Sequence, residues 1–120
     1  MSRRDFAGYR QGTPAIRWPG GGRLAVSVVV NVEEGAELSL GDGDERNEHV
    51  YEAVERVEAA CDFCMESHYE YGPRAGWPRI RDALSSRSIR ATLSACGRAV
   101  AATPWIAAEA VADGHEVAAH

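Results

Sequence analysis

Glu33 and Glu34 are adjacent carboxylates closing the β-branched run VVVNV (28–32), with Gly35 behind them and Glu37 close by. A carboxylate in that place can take a proton from water. His120 closes a second short apolar run, HEVAAH (115–120). An imidazole there can donate a proton, stabilise an oxyanion or hold a metal. If both runs are parallel strands, these groups share one rim, because functional side chains in parallel α/β sheets gather at the carboxyl ends of the strands. The competing account of Glu-Glu-Gly is a solvated turn.

The elements that would position them follow from patterning. Residues 1–22, rich in Gly, Pro and Arg, read as an irregular arm, and WPGGGR (18–23) is a turn signal. RLAVSVVVNV (23–32) lacks polar alternation, which predicts a strand buried on both faces. After a polar loop at 40–48, Val50, Val54, Val57, Cys61 and Cys64 recur at helical spacing and predict an amphipathic helix over 48–63. MESHYEYGPRAGWP (65–78) reads as a dense loop. WPRIRDALSS (77–86) predicts a helix with Pro78 in its first turn and Ile80, Ala83 and Leu84 on one side. IRATLSACG (89–97) predicts a strand followed by a helical stretch broken at Pro104. TPWIAAEAVADG (103–114) carries Thr103 as N-cap, Pro104 at the first position and Gly114 as the stop. The alternation predicts an α/β protein with parallel strands.

Bulk properties bound the function. With 120 residues, the chain makes one modest domain. A net charge of −5 argues against nucleic-acid or acidic-membrane partners. All thirteen basic residues are arginine, read as coding bias of a GC-rich genome. No apolar run approaches the ~20 residues that span a bilayer, and MSRRDFAGYRQG lacks the apolar core of a secretory signal. A soluble cytoplasmic protein is the expectation. The three cysteines are too few for a disulfide framework. Because the chain stops on His120 inside an apolar element, it reads as a fragment of a longer protein.

NVEEGAE, ESHYEYGPRAGWPRI and GHEVAAH together resemble the polysaccharide deacetylase superfamily. The branch they most resemble holds the cofactor-independent allantoinases and related cyclic-imide hydrolases, and the arm resembles that branch's N-terminal extension. The resemblance implies the N-terminal portion of a distorted (β/α) barrel, with the arm at 1–22 and the barrel beginning at 23–120. It matches Glu33 to the family's catalytic base and Glu34 to a metal ligand, each an aspartate in the deacetylases. His120 matches the first histidine of the family's H-x-x-x-H metal motif, whose partner would be residue 124. In the allantoinase-like branch that partner is typically lost and no metal is bound. Longer carboxylates fit that branch, since they would disturb a tight metal triad.

The resemblance implies a hydrolase of non-peptide carbon–nitrogen bonds that opens a cyclic amide such as allantoin, within purine catabolism and without a cofactor. Glu33 and His120 would be catalytic; Glu34, Tyr71 and Arg74 would bind substrate, an arginine fork suiting imide or ureide oxygens. Loop scaffolding is the alternative for Tyr71 and Arg74, and Arg74 or Arg79 could pair with Glu66 or Glu70. A second reading is a zinc- or other divalent-metal-dependent N-deacetylase of acetylated polysaccharide or peptidoglycan. A third is an inactive fragment or interaction module. A closed barrel takes roughly 200 residues or more, so the chain alone is expected to be inactive and to aggregate or oligomerise. CDFC (61–64) is one pair only, and its thiols are expected to be buried on the helix. His49, His68 and His115 read as surface or loop residues, and GDGDE (41–45) lacks calcium-loop spacing.

Overall fold

The computed structural model describes residues 7–9, 11–50 and 55–120. Its centre is a three-stranded parallel sheet in the order β1 (Val29–Val32), β2 (Thr92–Ala95), β3 (Glu116–Ala119). The register pairs Asn31 with Ser94 and Ser94 with Ala118. Side chains alternate faces along a strand, and here the two faces differ in chemistry. Val32, Leu93 and Ala95 are buried against Trp77, Ala99, Ile106 and Ala110, with Val30 packed beside them. Asn31, Thr92, Ser94 and Glu116 lie on the other face, where the Thr92 hydroxyl donates to Glu116 at 2.9 Å.

One-sided burial corrects the expectation for 23–32. Only residues 29–32 find a partner strand, and Leu24 and Val26 are exposed. Helices cover a single face among the described residues, so Val29 remains 55% exposed.

The largest departure from patterning concerns the helices. Residues 48–50 and 55–62 are irregular, and 51–54 lie outside the described residues. Asn47 holds this segment in its irregular path by donating to the carbonyls of Val57 (2.7 Å) and Ala60 (2.8 Å). Helix α1 instead spans Phe63–Tyr71, capped by Asp62, whose carboxylate accepts from the Met65 amide at 3.1 Å. It runs through a π-helical turn, Gly72–Gly76, into α2 (Trp77–Ser85). The stretch 65–78 is therefore helical, although its glycines and prolines suggest a loop. A proline inside an α-helix forfeits a hydrogen bond and clashes with the preceding turn. The wider π pattern accommodates Pro73, and the Trp77 amide closes it by donating to the Gly72 carbonyl.

On α2 the buried residues are Trp77 and Leu84, while Ile80 is 40% exposed and Ala83 is exposed. The inward face is thus rotated from the one expected. Arg81 lies on it and binds across to α4 (Pro104–Ala112), reaching Glu109 at 3.0 Å and Asp113 at 2.5 Å. The Trp77 indole donates to the same Glu109 at 2.8 Å. Between β2 and α4, α3 spans Gly97–Ala102. Thr103 precedes α4 as expected, but its hydroxyl donates back to the Ala99 carbonyl at 2.9 Å rather than capping α4. His115, expected at the surface, is buried, and its Nδ1 accepts from the Ala91 amide at 3.3 Å. No helix among the described residues is long and apolar enough to cross a membrane.

Two carboxylates tie the fold to pH. Arg81 holds Asp113 below its ordinary value of 3.8 chiefly by hydrogen bonding, and Arg98 does the same to Asp44. A depressed native pKa gives stability that is present above the unfolded value and lost as pH falls through the native one. Urea midpoints should therefore drop between pH 6 and pH 3. Arg81→Met and Arg98→Met should each flatten that drop; an unchanged pH dependence in both would contradict the assignment.

Candidate active site

The carboxyl ends of β1 and β3 flank the end of β2, so groups on the polar face converge above it. The Cys96 amide donates to the Val32 carbonyl at 2.9 Å and the His120 amide to the Ala95 carbonyl at 3.0 Å, extending the ladder to this rim. There Oε1 of Glu33 stands 3.3 Å from Nε2 of His120. The other ring nitrogen, Nδ1, is 3.0 Å from the hydroxyl of Ser94 on β2. Sequence reasoning missed Ser94. The polar residues Thr92 and Ser94, alternating with Leu93 and Ala95, were the signal available for it.

A tight turn sets Glu33. The Ala36 amide donates to the Glu33 carbonyl at 2.9 Å, and the Gly35 amide donates to the Glu37 carboxylate at 2.6 Å. Gly35 has φ +96°, and a Cβ there would stand 3.0 Å from Ala102 Cβ on α3. Conformation and space therefore both require glycine.

The two carboxylates do not act from one position. Glu33 turns to His120, whereas Glu34 lies against Gly72 in the π-helical turn, where a Cβ would come within 2.6 Å of its carboxyl carbon. The glycine lets the helix backbone approach that closely. Glu34 forms cleft wall beside the Glu33–His120 pair.

The cleft measures about 960 Å³. Glu33, Glu34, Ala36 and Glu37 supply one wall, Glu48, His49 and Val50 the rim, and Ser67, His68, Tyr69 and Tyr71 of α1 the facing side. His49 and His68, read from the sequence as surface or loop residues, are both at the cleft. Burial raises the Tyr69 phenol above its ordinary value, and the charges of Glu48 and Glu37 add to that. Tyr69 thus stays a neutral hydrogen-bond donor through the physiological range. The loop before the rim is fixed from within and from α3: Asp44 accepts from the Ser39 amide at 2.9 Å and takes the Arg98 fork at 3.0 and 2.6 Å. Ser39 in turn donates to Glu66 at 2.9 Å.

Tyr71 and Arg74 separate. Tyr71 lines the cleft while its hydroxyl accepts from Arg79 at 2.8 Å. Arg74 is 76% exposed, pairs with Glu70 at 3.0 Å and is not among the cleft-lining residues. The cysteines also differ from expectation. Cys64 is exposed at the cleft and Cys61 half-buried, because the helix meant to bury them starts later.

The polysaccharide deacetylase family model matches residues 58–120. This chain belongs to the polysaccharide deacetylase family. A Schizosaccharomyces pombe protein named "Putative polysaccharide deacetylase" is 34% identical over 107 residues, covering 86% of this chain and 33% of that protein. The crystal structure of Puue allantoinase superposes with a TM-score of 0.86 at 35% identity, over 100% of this chain and 41% of that one. That of a "probable polysaccharide deacetylase" from Pseudomonas aeruginosa does so at 0.86 and 36%, over 99% and 41%. The chain thus spans a third to two fifths of these relatives, and its α/β fold is that of the family's (β/α) barrel. Deacetylase and allantoinase neighbours match it equally well.

A divalent metal, which the resemblance to the deacetylases implies, needs three or more converging donors. Among the described residues, no three His, Cys, Asp or Glu are so arranged. Glu33 and His120 contact each other, and Glu34 lies against Gly72. Glu33, Glu34 and His120 thus do not converge on one point by themselves.

Proposed function

We propose that these residues carry the acid–base end of a site that hydrolyses the carbon–nitrogen bond of a cyclic amide or ureide, allantoin being the reference substrate. The observation that carries the reading is the Glu33–His120 pair, 3.3 Å apart at the mouth of the cleft. Ionised Glu33 takes a proton from water while the oxygen bonds to the ring carbonyl carbon. The carbonyl oxygen becomes an oxyanion, and the carbon–nitrogen bond then breaks as the proton on Glu33 passes to the leaving nitrogen. His120 holds the Glu33 carboxylate in place and is at hand as a donor while the oxyanion persists.

The walls suit a neutral ring rich in N–H groups. Glu34, Glu37 and Glu48 offer acceptors and Tyr69 a neutral donor, whereas Arg74, assigned by resemblance to substrate oxygens, points elsewhere. We therefore leave Arg74 out of the binding set and keep Glu34 and Tyr71 in it. The family match keeps one alternative, removal of acetyl groups from an N-acetylated sugar. The protein encoded at this locus should open allantoin, measured as allantoate formed, and release no acetate from N-acetylglucosamine oligomers. Acetate release without ring opening would establish the alternative. Residues 1–120 alone are expected to be inactive and self-associating, since Val29 and Val117 are exposed on the sheet.

A further inference from the structure

Ser94 has no part in the mechanism as read from the carboxylate and the imidazole, yet it is the residue on which the imidazole rests. It sits on the central strand, between the strand that delivers Glu33 and the strand that delivers His120, and on the same sheet face as both. Its hydroxyl is 3.0 Å from Nδ1 of His120, while Nε2 of the same ring is 3.3 Å from Glu33.

We propose that Ser94 is a positioning residue that fixes the tautomer of His120, donating to Nδ1 so that the ring proton sits on Nε2, facing Glu33. The chemistry of the three groups selects this arrangement. An ionised carboxylate only accepts, so the 3.3 Å contact favours a hydrogen on the nitrogen facing Glu33, and the closer serine contact completes that preference. In a neutral imidazole the other nitrogen is then a bare acceptor. A serine hydroxyl 3.0 Å away can donate to it. The consequence is a directed chain, Ser94 to His120 to Glu33, in which each group presents a hydrogen to the next. Glu33 receives a hydrogen bond on Oε1, which orients the carboxylate toward the cleft. A phenylalanine or valine at 94 would leave the two tautomers of His120 to compete.

This inference rests on the reading of Glu33 and His120 as the reacting pair, and its test separates the two. In the protein encoded at this locus, uniformly labelled with nitrogen-15, two-bond proton–nitrogen correlations report the tautomer of each histidine. His120→Gln identifies its signals as those that disappear. Neutral His120 should give the Nε2–H pattern. Ser94→Ala should introduce the Nδ1–H form and lower kcat about tenfold, the size expected for one lost orienting hydrogen bond, with KM within twofold. Ser94→Thr should restore both. An Nδ1–H pattern in the wild type, or an unchanged His120 pattern in Ser94→Ala, overturns the role of Ser94 whatever the activity. If Glu33→Gln leaves ring opening intact while the tautomer behaves as described, the functional reading fails and the positioning of His120 by Ser94 stands.

Discussion

Glu33→Gln is expected to lower kcat for ring opening by about 10²- to 10⁴-fold, the usual contribution of a positioned general base. Glutamine keeps the length and shape of the side chain and can still accept from Nε2 of His120, 3.3 Å away. It cannot take a proton from water. Glu33 is half-exposed at the end of a short strand, so the substitution should leave the fold and KM nearly unchanged. Glu34→Gln is the informative comparison. Glu34 lies against Gly72 as part of the wall, and its loss should appear mainly in KM. Initial rates against allantoin concentration for the two variants decide the matter. A Glu33→Gln enzyme within threefold of wild type would remove Glu33 from the chemistry.

The largest effect on stability is expected at Leu93. It lies at the middle of the central strand with 1% of its surface exposed, packed among Trp77, Val32, Ile106 and Ala110. Leu93→Ala removes three methylene-sized groups from a core that includes three alanines, Ala95, Ala99 and Ala110, whose methyl groups are fixed by their backbone and cannot swing in to fill the space. Large-to-small changes of this kind cost about 2–5 kcal/mol, according to how far the site collapses. The upper half of that range fits a core this poor in mobile side chains. Val111→Ala, at a position 62% exposed on α4, should change stability by no more than about 0.5 kcal/mol. Urea unfolding of the two variants against wild type measures both, and equal midpoints would contradict the packing described.

The architecture was legible where one kind of signal governs. Strands with parallel order, the helix opened by Pro104 and stopped at Gly114, and the rim occupied by Glu33 and His120 all follow from local patterning and topology. Residues 48–50 and 55–76 depart from their patterning because two signals compete there. Valines and cysteines at helical spacing imitate an amphipathic face, but Asn47 binds carbonyls of residues 57 and 60 and holds that stretch out of a helix. Pro73, Gly72 and Gly76 imitate a loop, but a π-helical turn absorbs them and brings the backbone against Glu34. Neither arrangement is visible without the tertiary partner. The same holds for the site. Glu33 and Glu34 are adjacent in sequence, and strand alternation sends one to His120 and the other to the helix. Arg74 looked suited to substrate oxygens until Glu70, four residues earlier on the helical surface, claimed it. Ser94, on β2, meets His120 from outside every motif of the family resemblance, whereas His68 and Tyr69 lie within ESHYEYGPRAGWPRI and line the cleft from α1.

The central proposal is that the Glu33–His120 pair serves carbon–nitrogen bond hydrolysis that needs no metal. Its most direct test is the rate of allantoin ring opening by the protein encoded at this locus, before and after exhaustive chelation and metal-free dialysis. The account predicts the same rate in both preparations. Loss of activity on chelation, restored by zinc or another divalent ion, would contradict it.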